Sequence, residues 1–255
     1  MKRLFAVSFF IGMFFVTAVR AADDACPVPA YLLTTESVLK KVSESIKARK
    51  QLDVLVIGSG SSALTGPDGS ASSYPARLEA ALRERLEGVT INVKTDLKPK
   101  KTSAEIADGI AQIIEKMPQD TKPALTIWQT GTVDSMRGVD PDDFRSALDT
   151  GVANLQAAGT DVLLMNLQYS PRMETMLTVV PYLDTMRVVA QQRDVPLFDR
   201  FSIMRYWSDA GDFDLFGATH GFGVAKRVHN CIGRSLSALI VEASGIKPAE
   251  LGIQR

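Results

Sequence analysis

The sequence predicts a three-layer α/β/α fold built on a five-stranded parallel sheet. Five short apolar runs alternate with longer segments in which apolar residues recur at helical spacing. Such alternation is typical of a parallel sheet with right-handed crossovers and helices on both faces. The first run, Leu52–Ile57, leads directly into a segment rich in Gly and Ser that stays irregular until Tyr74. The end of a buried strand is the usual position of a ligand site in this class of fold.

The predicted strands are short, mainly apolar runs bounded by turn-forming residues. Runs of this kind are typical of strands that are buried on both faces of a parallel sheet. The predicted strands are Leu52–Ile57, Ala124–Trp128, Val162–Met165 and Val195–Phe198, together with Val89–Val93, in which apolar and polar residues alternate.

The predicted helices carry recognisable start and stop signals. The first opens at Thr34–Glu36, the second has Pro75 in its first turn, and Thr102 with Glu105 forms a capping box for the third. The later helices run from Asp140 to Gly159, from near Pro181 through Val189, and from Val224 through Leu239 after a loop at Asp209–Gly221.

The N-terminus has the pattern of a secretory signal peptide. Lys2 and Arg3 precede an apolar run from Leu4 to Val19, and small residues follow up to Ala22. We expect cleavage after Ala21, and therefore a periplasmic or secreted protein. An uncleaved membrane anchor is the alternative, although a membrane span needs about 20 apolar residues and this run is shorter.

The chain divides into four predicted segments. They are the signal peptide at 1–21, an N-terminal segment and helix at 22–50, the α/β domain at 51–245 and a C-terminal tail at 246–255. Loss of Lys2, Arg3 and Arg20 from a chain with 29 basic and 29 acidic residues leaves a net charge of about −3. This balance does not indicate a nucleic-acid partner, and we expect no stable membrane anchor after cleavage.

Two cysteines, Cys26 and Cys231, lie near the two ends of the predicted mature chain. In an exported protein an even pair favours a disulfide, which would tie the N-terminal segment to the last helix. Two buried free thiols are the alternative.

Polar residues follow the first, third and fifth predicted strands. Because the carboxyl ends of parallel strands lie at one edge of a sheet, we expect these residues to meet in one crevice. A hydroxyl, an imidazole and a carboxylate are the components of a nucleophilic site that cleaves esters, and backbone N–H groups hold the oxyanion. The residues are Ser59, Ser61, Ser62, Gly131, Thr132, Asp134, Asp212, Asp214 and His220.

The order of these features resembles the SGNH (GDSL-like) hydrolases over nearly the whole mature chain. The resemblance rests on the Gly/Ser turn after the first strand, the Tyr74-Pro75 helix start, the turn Gly131–Asp134 and the His loop before the last helix. It implies a flavodoxin-like SGNH fold and an ester substrate, either a small molecule or a glycan with an O-acetyl group. We expect neither a cofactor nor a metal.

The sequence departs from the motifs of that family at several positions. Without a gap, Ser59 takes the place of the family's Asp and Gly60 takes the place of its nucleophilic Ser. Val133 replaces the Asn that helps to bind the oxyanion, and Gly217 replaces the Asp three residues before His220. The sequence therefore leaves two candidate nucleophiles, Ser61 and Ser59.

The resemblance implies a role for each residue at this edge. Ser61 or Ser59 would attack the ester, His220 would accept the proton, and Asp214 would orient the imidazole. The predicted oxyanion- and substrate-binding residues are Gly60, Gly131, Thr132, Asp134 and Tyr169. His229 falls within the last helix, where we expect it to pack or to lie at the surface.

Two other functions fit parts of the pattern. The substituted motif positions fit a catalytically inactive SGNH-fold binding module of the cell envelope. Separately, Gly58-x-Gly60-x-x-Ala63 matches a dinucleotide-binding fingerprint. That fingerprint needs a helix to begin at once, whereas roughly ten more loop residues intervene here.

Overall fold

The computed structural model describes residues 26–216 and 221–247. Its centre is one five-stranded sheet in the order β2-β1-β3-β4-β5, with every neighbouring pair parallel. The predicted fold class is therefore confirmed. The strands are β1 (Gln51–Gly58), β2 (Thr90–Leu97), β3 (Leu125–Gln129), β4 (Asp161–Met165) and β5 (Leu197–Phe198).

The helices cover both faces of this sheet. They are α1 (Lys40–Arg49), α2 (Gly69–Ser72), α3 (Tyr74–Arg85), α4 (Ser103–Ala107), α5 (Ile110–Glu115), α6 (Thr132–Arg137), α7 (Pro141–Ala157), α8 (Pro171–Met176), α9 (Val180–Gln192), α10 (Arg200–Asp209) and α11 (Gly221–Ser244). One face carries α1, α3 and α11, where α1 and α3 each contact α11, and the other carries α4, α5, α7 and α9. The capping box of Thr102 and Glu105 is present at the start of α4.

The continuous apolar runs in the sequence follow from this layering. In β1 every residue from Leu52 to Gly58 is buried, because β2 and β3 flank the strand and helices cover both of its faces. Within the described residues, no helix is long and apolar enough to cross a membrane.

The structure corrects the start of the first helix. The sequence predicts it at Thr34–Glu36, whereas α1 begins at Lys40. The N–H of Leu39 donates to the carbonyl of Ala243 at 2.9 Å, so this residue joins the end of α11 before the helix starts. The structure also adds four helices that the sequence did not predict, α2, α6, α8 and α10; α2 lies in the segment predicted to be irregular up to Tyr74, and α6 begins in the predicted turn Gly131–Asp134.

Helices α3 and α11 approach so closely that only glycine fits at Gly233. A Cβ atom there would lie 2.7 Å from the backbone nitrogen of Leu78 and 2.8 Å from the carbonyl carbon of Arg77. Backbone atoms cannot rotate away from such a contact, in contrast to the end of a flexible side chain.

We expect Gly233→Ala to lower the free energy of unfolding by about 1–3 kcal/mol, the usual cost of overpacking. Gly223→Ala in the same helix is the matched control, since a Cβ at Gly223 meets no atom within 4 Å. We expect the control to raise the free energy of unfolding by up to about 1 kcal/mol, because alanine has a higher helix propensity than glycine. Urea denaturation of the two variants measures the difference, and equal midpoints would contradict the close approach.

The predicted disulfide is confirmed: Cys26 is bonded to Cys231, across a sequence separation of 205 residues. The bond attaches the N-terminal segment to α11. The same segment is also held by α10, because the indole N–H of Trp207 donates to the carbonyl of Pro27 at 2.7 Å.

Candidate functional site

Loops that follow four of the strands meet at the carboxyl edge of the sheet. The Ser59–Ser62 loop follows β1 and bonds Gln129 at the end of β3. Arg200, which follows β5, bonds both Ser61 and Gln168, and Gln168 lies in the loop after β4. Side chains distant in sequence therefore form one polar cluster.

The three serines of the first loop lie in different environments. Ser59 caps the short 3₁₀ turn Gly60–Ser62, where its hydroxyl accepts from the N–H of Ser61. Ser59 is 7% exposed and Ser62 is 0% exposed. Ser61 is half-buried and is therefore the most exposed of the three residues.

Gln129 organises this loop from the end of β3. Its Oε1 atom accepts from the N–H of Ser59 at 3.1 Å and from the hydroxyl of Ser62 at 2.7 Å. It also lies within reach of the hydroxyls of Ser59 and Ser61, at 3.1 and 3.4 Å. A fully buried amide at this strand end therefore fixes the position of the β1 loop.

Arg200 is a buried cation directly beside Ser61. It is 1% exposed, and its Nη1 atom donates to the hydroxyl of Ser61 at 3.3 Å. Its Nη2 atom donates to Gln168 Oε1 at 3.0 Å and to the carbonyl of Ser61 at 3.4 Å. Burial lowers the pKa of Arg200 to about 10, so the guanidinium remains charged at neutral pH. No carboxylate of the described residues forms an ion pair with it.

His229 is a neutral histidine that packs against Tyr74. Its Nδ1 atom accepts from the backbone N–H of Tyr74 at 2.9 Å, and the centres of the two rings are 6.0 Å apart. Burial, and then the positive charge of Arg200, lower the pKa of His229 to about 3. The ring therefore stays neutral above that pH, and its single proton lies on Nε2.

We expect the free energy of unfolding to fall as the pH is lowered from about 6.5 towards 3. The unfolded chain binds a proton on His229 through this window, whereas the folded chain does not, so acid favours unfolding by on the order of 4 kcal/mol. His229→Gln keeps an acceptor for the Tyr74 N–H and removes the titration. Denaturant unfolding at several pH values gives the free energy of unfolding as a function of pH. This dependence should be shallower for the variant than for the wild type, and identical dependences would contradict a neutral His229 in the folded chain.

The turn after β3 is held by close packing and by hydrogen bonds. Gly131 has a φ of +90°, and a Cβ there would lie 2.7 Å from the side chain of Leu167. Asp134 is fully buried, and its Oδ1 atom accepts from the N–H and the hydroxyl of Ser103 at 2.9 and 2.7 Å. Thr132 is also buried, and its hydroxyl has no partner among the described residues. Asp134 thus joins this turn to the start of α4.

The other predicted site residues differ in their surroundings. Asp214 is exposed and lines a cavity of about 290 Å³ together with Arg200 and His229. Tyr169 is 5% exposed and packs edge-to-face on Phe201, with ring centres 5.2 Å apart. His220 and Gly217 lie outside the described residues. Within residues 26–216 and 221–247, no group of three or more His, Cys, Asp or Glu side chains could hold a metal ion.

Three residues of the cluster were missed in the sequence. Gln129, Gln168 and Arg200 each lie at or just after the carboxyl end of a strand. This is the same position that singled out the serines, so a polar side chain directly after β3, β4 or β5 was an available signal. What the sequence could not show was that Arg200 is buried.

Comparisons with known proteins agree with this architecture. The model of the Non-GDSL lipase-like family matches residues 25–246. The crystal structure of TesA is 22% identical with a TM-score of 0.57, and the match covers 73% of this chain and 99% of that one. AlinE4, described as a SGNH-hydrolase family esterase, is 26% identical with a TM-score of 0.52, and the match covers 64% of this chain and 82% of that one.

A third similar structure is a mutant of Axe2, an acetyl-xylooligosaccharide esterase from Geobacillus stearmophilus. It is 14% identical with a TM-score of 0.56, and the match covers 77% of this chain and 95% of that one. None of the curated proteins matches the chain by sequence. The family match spans most of the sequence and includes both layers of helices. The chain therefore belongs to the Non-GDSL lipase-like family and has the fold of the SGNH/GDSL hydrolases.

Proposed function

We propose that this chain is an exported serine hydrolase that cleaves carboxylic esters, with Ser61 as its nucleophile. The observation that carries the proposal is the position of the Ser61 hydroxyl. Ser61 is the most exposed of the three serines in the Ser59–Ser62 loop, and its hydroxyl accepts a hydrogen bond from the buried guanidinium of Arg200. A positive charge beside this oxygen stabilises the alkoxide that attacks an ester carbonyl. The same geometry favours Ser61 over Ser59, whose hydroxyl caps the turn.

His220 is the proposed general base. The chain contains two histidines, and His229 is unsuited to the role because its Nδ1 atom is engaged and its pKa is about 3. In the proposed reaction His220 takes the proton of Ser61 and passes it to the departing alcohol. Water then cleaves the acyl-enzyme, which releases the acid and restores the hydroxyl. Asp214 would orient His220, and backbone N–H groups at Gly60 and Gly131 would hold the oxyanion.

The proposed substrate is a small-molecule or glycan ester, for example one that carries an O-acetyl group. The fold shared with AlinE4 and Axe2, both named as esterases, supports an ester substrate. We propose export because the basic, apolar and small-residue order of segment 1–21 is typical of a signal peptide. The Cys26–Cys231 disulfide supports an oxidising compartment such as the periplasm.

Hydrolysis of p-nitrophenyl acetate by the purified mature chain tests the esterase activity. We expect saturable turnover that a fluorophosphonate, a reagent for activated serines, abolishes at one equivalent per chain. Turnover no faster than that of the same chain after heat inactivation would refute the enzyme.

A second candidate is a catalytically inactive module that binds a glycan or an acyl group in the same cavity. Gly60 and Val133, which stand where the family motif has Ser and Asn, favour this candidate. Calorimetric titration with an acetylated oligosaccharide separates the two functions. A module gives a binding isotherm without continuing heat, whereas an enzyme gives heat from turnover.

A further inference from the structure

One cavity on the described surface is lined by hydrogen-bond donors and apolar side chains. It has a volume of about 290 Å³ and lies between the start of α10 and the first half of α11. Its polar lining includes Arg200, Gln168 and His229, and its apolar lining includes Met204, Leu215 and Val224. Asp214 also lines it from an exposed loop, where its carboxylate accepts from the N–H of Phe216 at 3.0 Å.

Arg200 has unused donors in this environment. Its guanidinium carries five N–H groups, and the three bonds to Ser61 and Gln168 leave the Nε–H and one Nη1–H without a described acceptor. The side chain is 1% exposed and lies in the first position of α10, where the helix dipole disfavours a cation. A buried charge without a partner is costly for folding, so these features point to a ligand that supplies the negative charge.

The neighbouring groups fit an anion. With Nδ1 of His229 occupied by the Tyr74 N–H, the neutral ring presents only an Nε2–H donor. Gln168 uses its Oε1 atom for Arg200, which leaves its NH₂ group as a donor. The orientation of both groups follows from the hydrogen bonds that they make to the protein.

We infer that this cavity binds a carboxylate group, with Arg200 as the cation that recognises it. The single buried charge matches a monoanion, and the apolar walls match the carbon chain that a carboxylate carries. The carboxylate of Asp214 at the wall repels a dianion such as phosphate more strongly than a monoanion. This inference rests on the proposed function and defines the substrate class of the same site. The substrate is an ester that carries a free carboxylate in addition to the scissile bond.

Binding is tested by calorimetric titration of the mature chain with acetate at constant ionic strength. Acetamide has the shape of acetate without its charge and is the ligand control, and inorganic phosphate is the third probe. We expect acetate to bind and acetamide not to bind. We expect Arg200→Gln to weaken acetate binding at least about tenfold, the usual loss for a charge-assisted hydrogen bond.

Arg205→Gln is the matched control variant. Arg205 lies on the same helix but is exposed and paired with Glu174 at 3.2 Å, so acetate affinity should not change. Val224→Phe fills the cavity from α11 while Arg200 is retained, and it should also abolish acetate binding. If Arg200→Gln does not fold, Val224→Phe tests whether acetate binds in this cavity. Unchanged acetate binding in Val224→Phe, or binding of phosphate in preference to acetate, would overturn the inference.

The substrate class is tested with two matched esters, p-nitrophenyl butyrate and mono-p-nitrophenyl succinate. We expect kcat/KM to be higher for the succinate ester, and the ratio of the two values to fall at least about tenfold in Arg200→Gln. If acetate binds but neither ester is cleaved, the proposed function fails and the carboxylate site stands. If both esters are cleaved with a ratio that Arg200→Gln leaves unchanged, the substrate class is wrong and the esterase stands.

Discussion

Ser61→Ala should lower kcat/KM for p-nitrophenyl acetate at least about a thousandfold, because it removes the proposed nucleophile. The substitution deletes one hydroxyl from a half-buried side chain, so the fold should persist. Far-ultraviolet circular dichroism and a urea midpoint close to that of the wild type verify this.

Two further serine variants make this test specific. Ser70→Ala changes an exposed serine of the short helix α2, which follows the β1 loop, and should leave kcat/KM unchanged. Ser59→Ala removes the cap of the 3₁₀ turn and should reduce the rate less than Ser61→Ala does, because the attacking oxygen is still present. A larger loss in Ser59→Ala than in Ser61→Ala would reassign the nucleophile to Ser59.

Removal of the disulfide should have the largest effect on stability. The bond closes a loop across 205 residues, so its loss frees the unfolded chain from a very long constraint. We expect the Cys26→Ser, Cys231→Ser double variant to lose about 3–5 kcal/mol of unfolding free energy. For a domain of this size the loss corresponds to a decrease in Tm of roughly 10 °C.

Thermal melts with and without reductant check this prediction. Reductant should lower the Tm of the wild type towards that of the double variant and should not change the double variant itself. If reductant lowers both melting temperatures equally, the bond does not constrain the unfolded chain.

The sheet was predictable because its three inner strands, β1, β3 and β4, are almost wholly buried. Such strands appear in the sequence as unbroken apolar runs, and Leu52–Ile57 lies within β1 as expected. Helix α10 was missed although Asp199, between β5 and Arg200, is an N-cap signal: its side chain accepts from the N–H of Ser202. The start of α1 was misplaced because the backbone bond from Leu39 to Ala243 joins segments that are distant in sequence.

The candidate site was predictable as a location more than as a set of contacts. The rule that parallel strands end at one edge placed Ser61 at the carboxyl edge of the sheet, where the structure has it. It could not show that Gln129 accepts bonds from the β1 loop or that Arg200 lies buried beside Ser61, because burial depends on how α10 packs. The roles of Asp214 and His220 remain predictions.

Peptide mapping of the fluorophosphonate adduct tests the nucleophile most directly. Trypsin releases the β1 loop in one peptide, residues 51–77, which contains Ser59, Ser61, Ser62, Ser70, Ser72 and Ser73. Fragmentation of this peptide by tandem mass spectrometry assigns the adduct to a single serine. The mechanism predicts the adduct on Ser61; an adduct on any other residue, or an unlabelled peptide from a chain that hydrolyses esters, would contradict it.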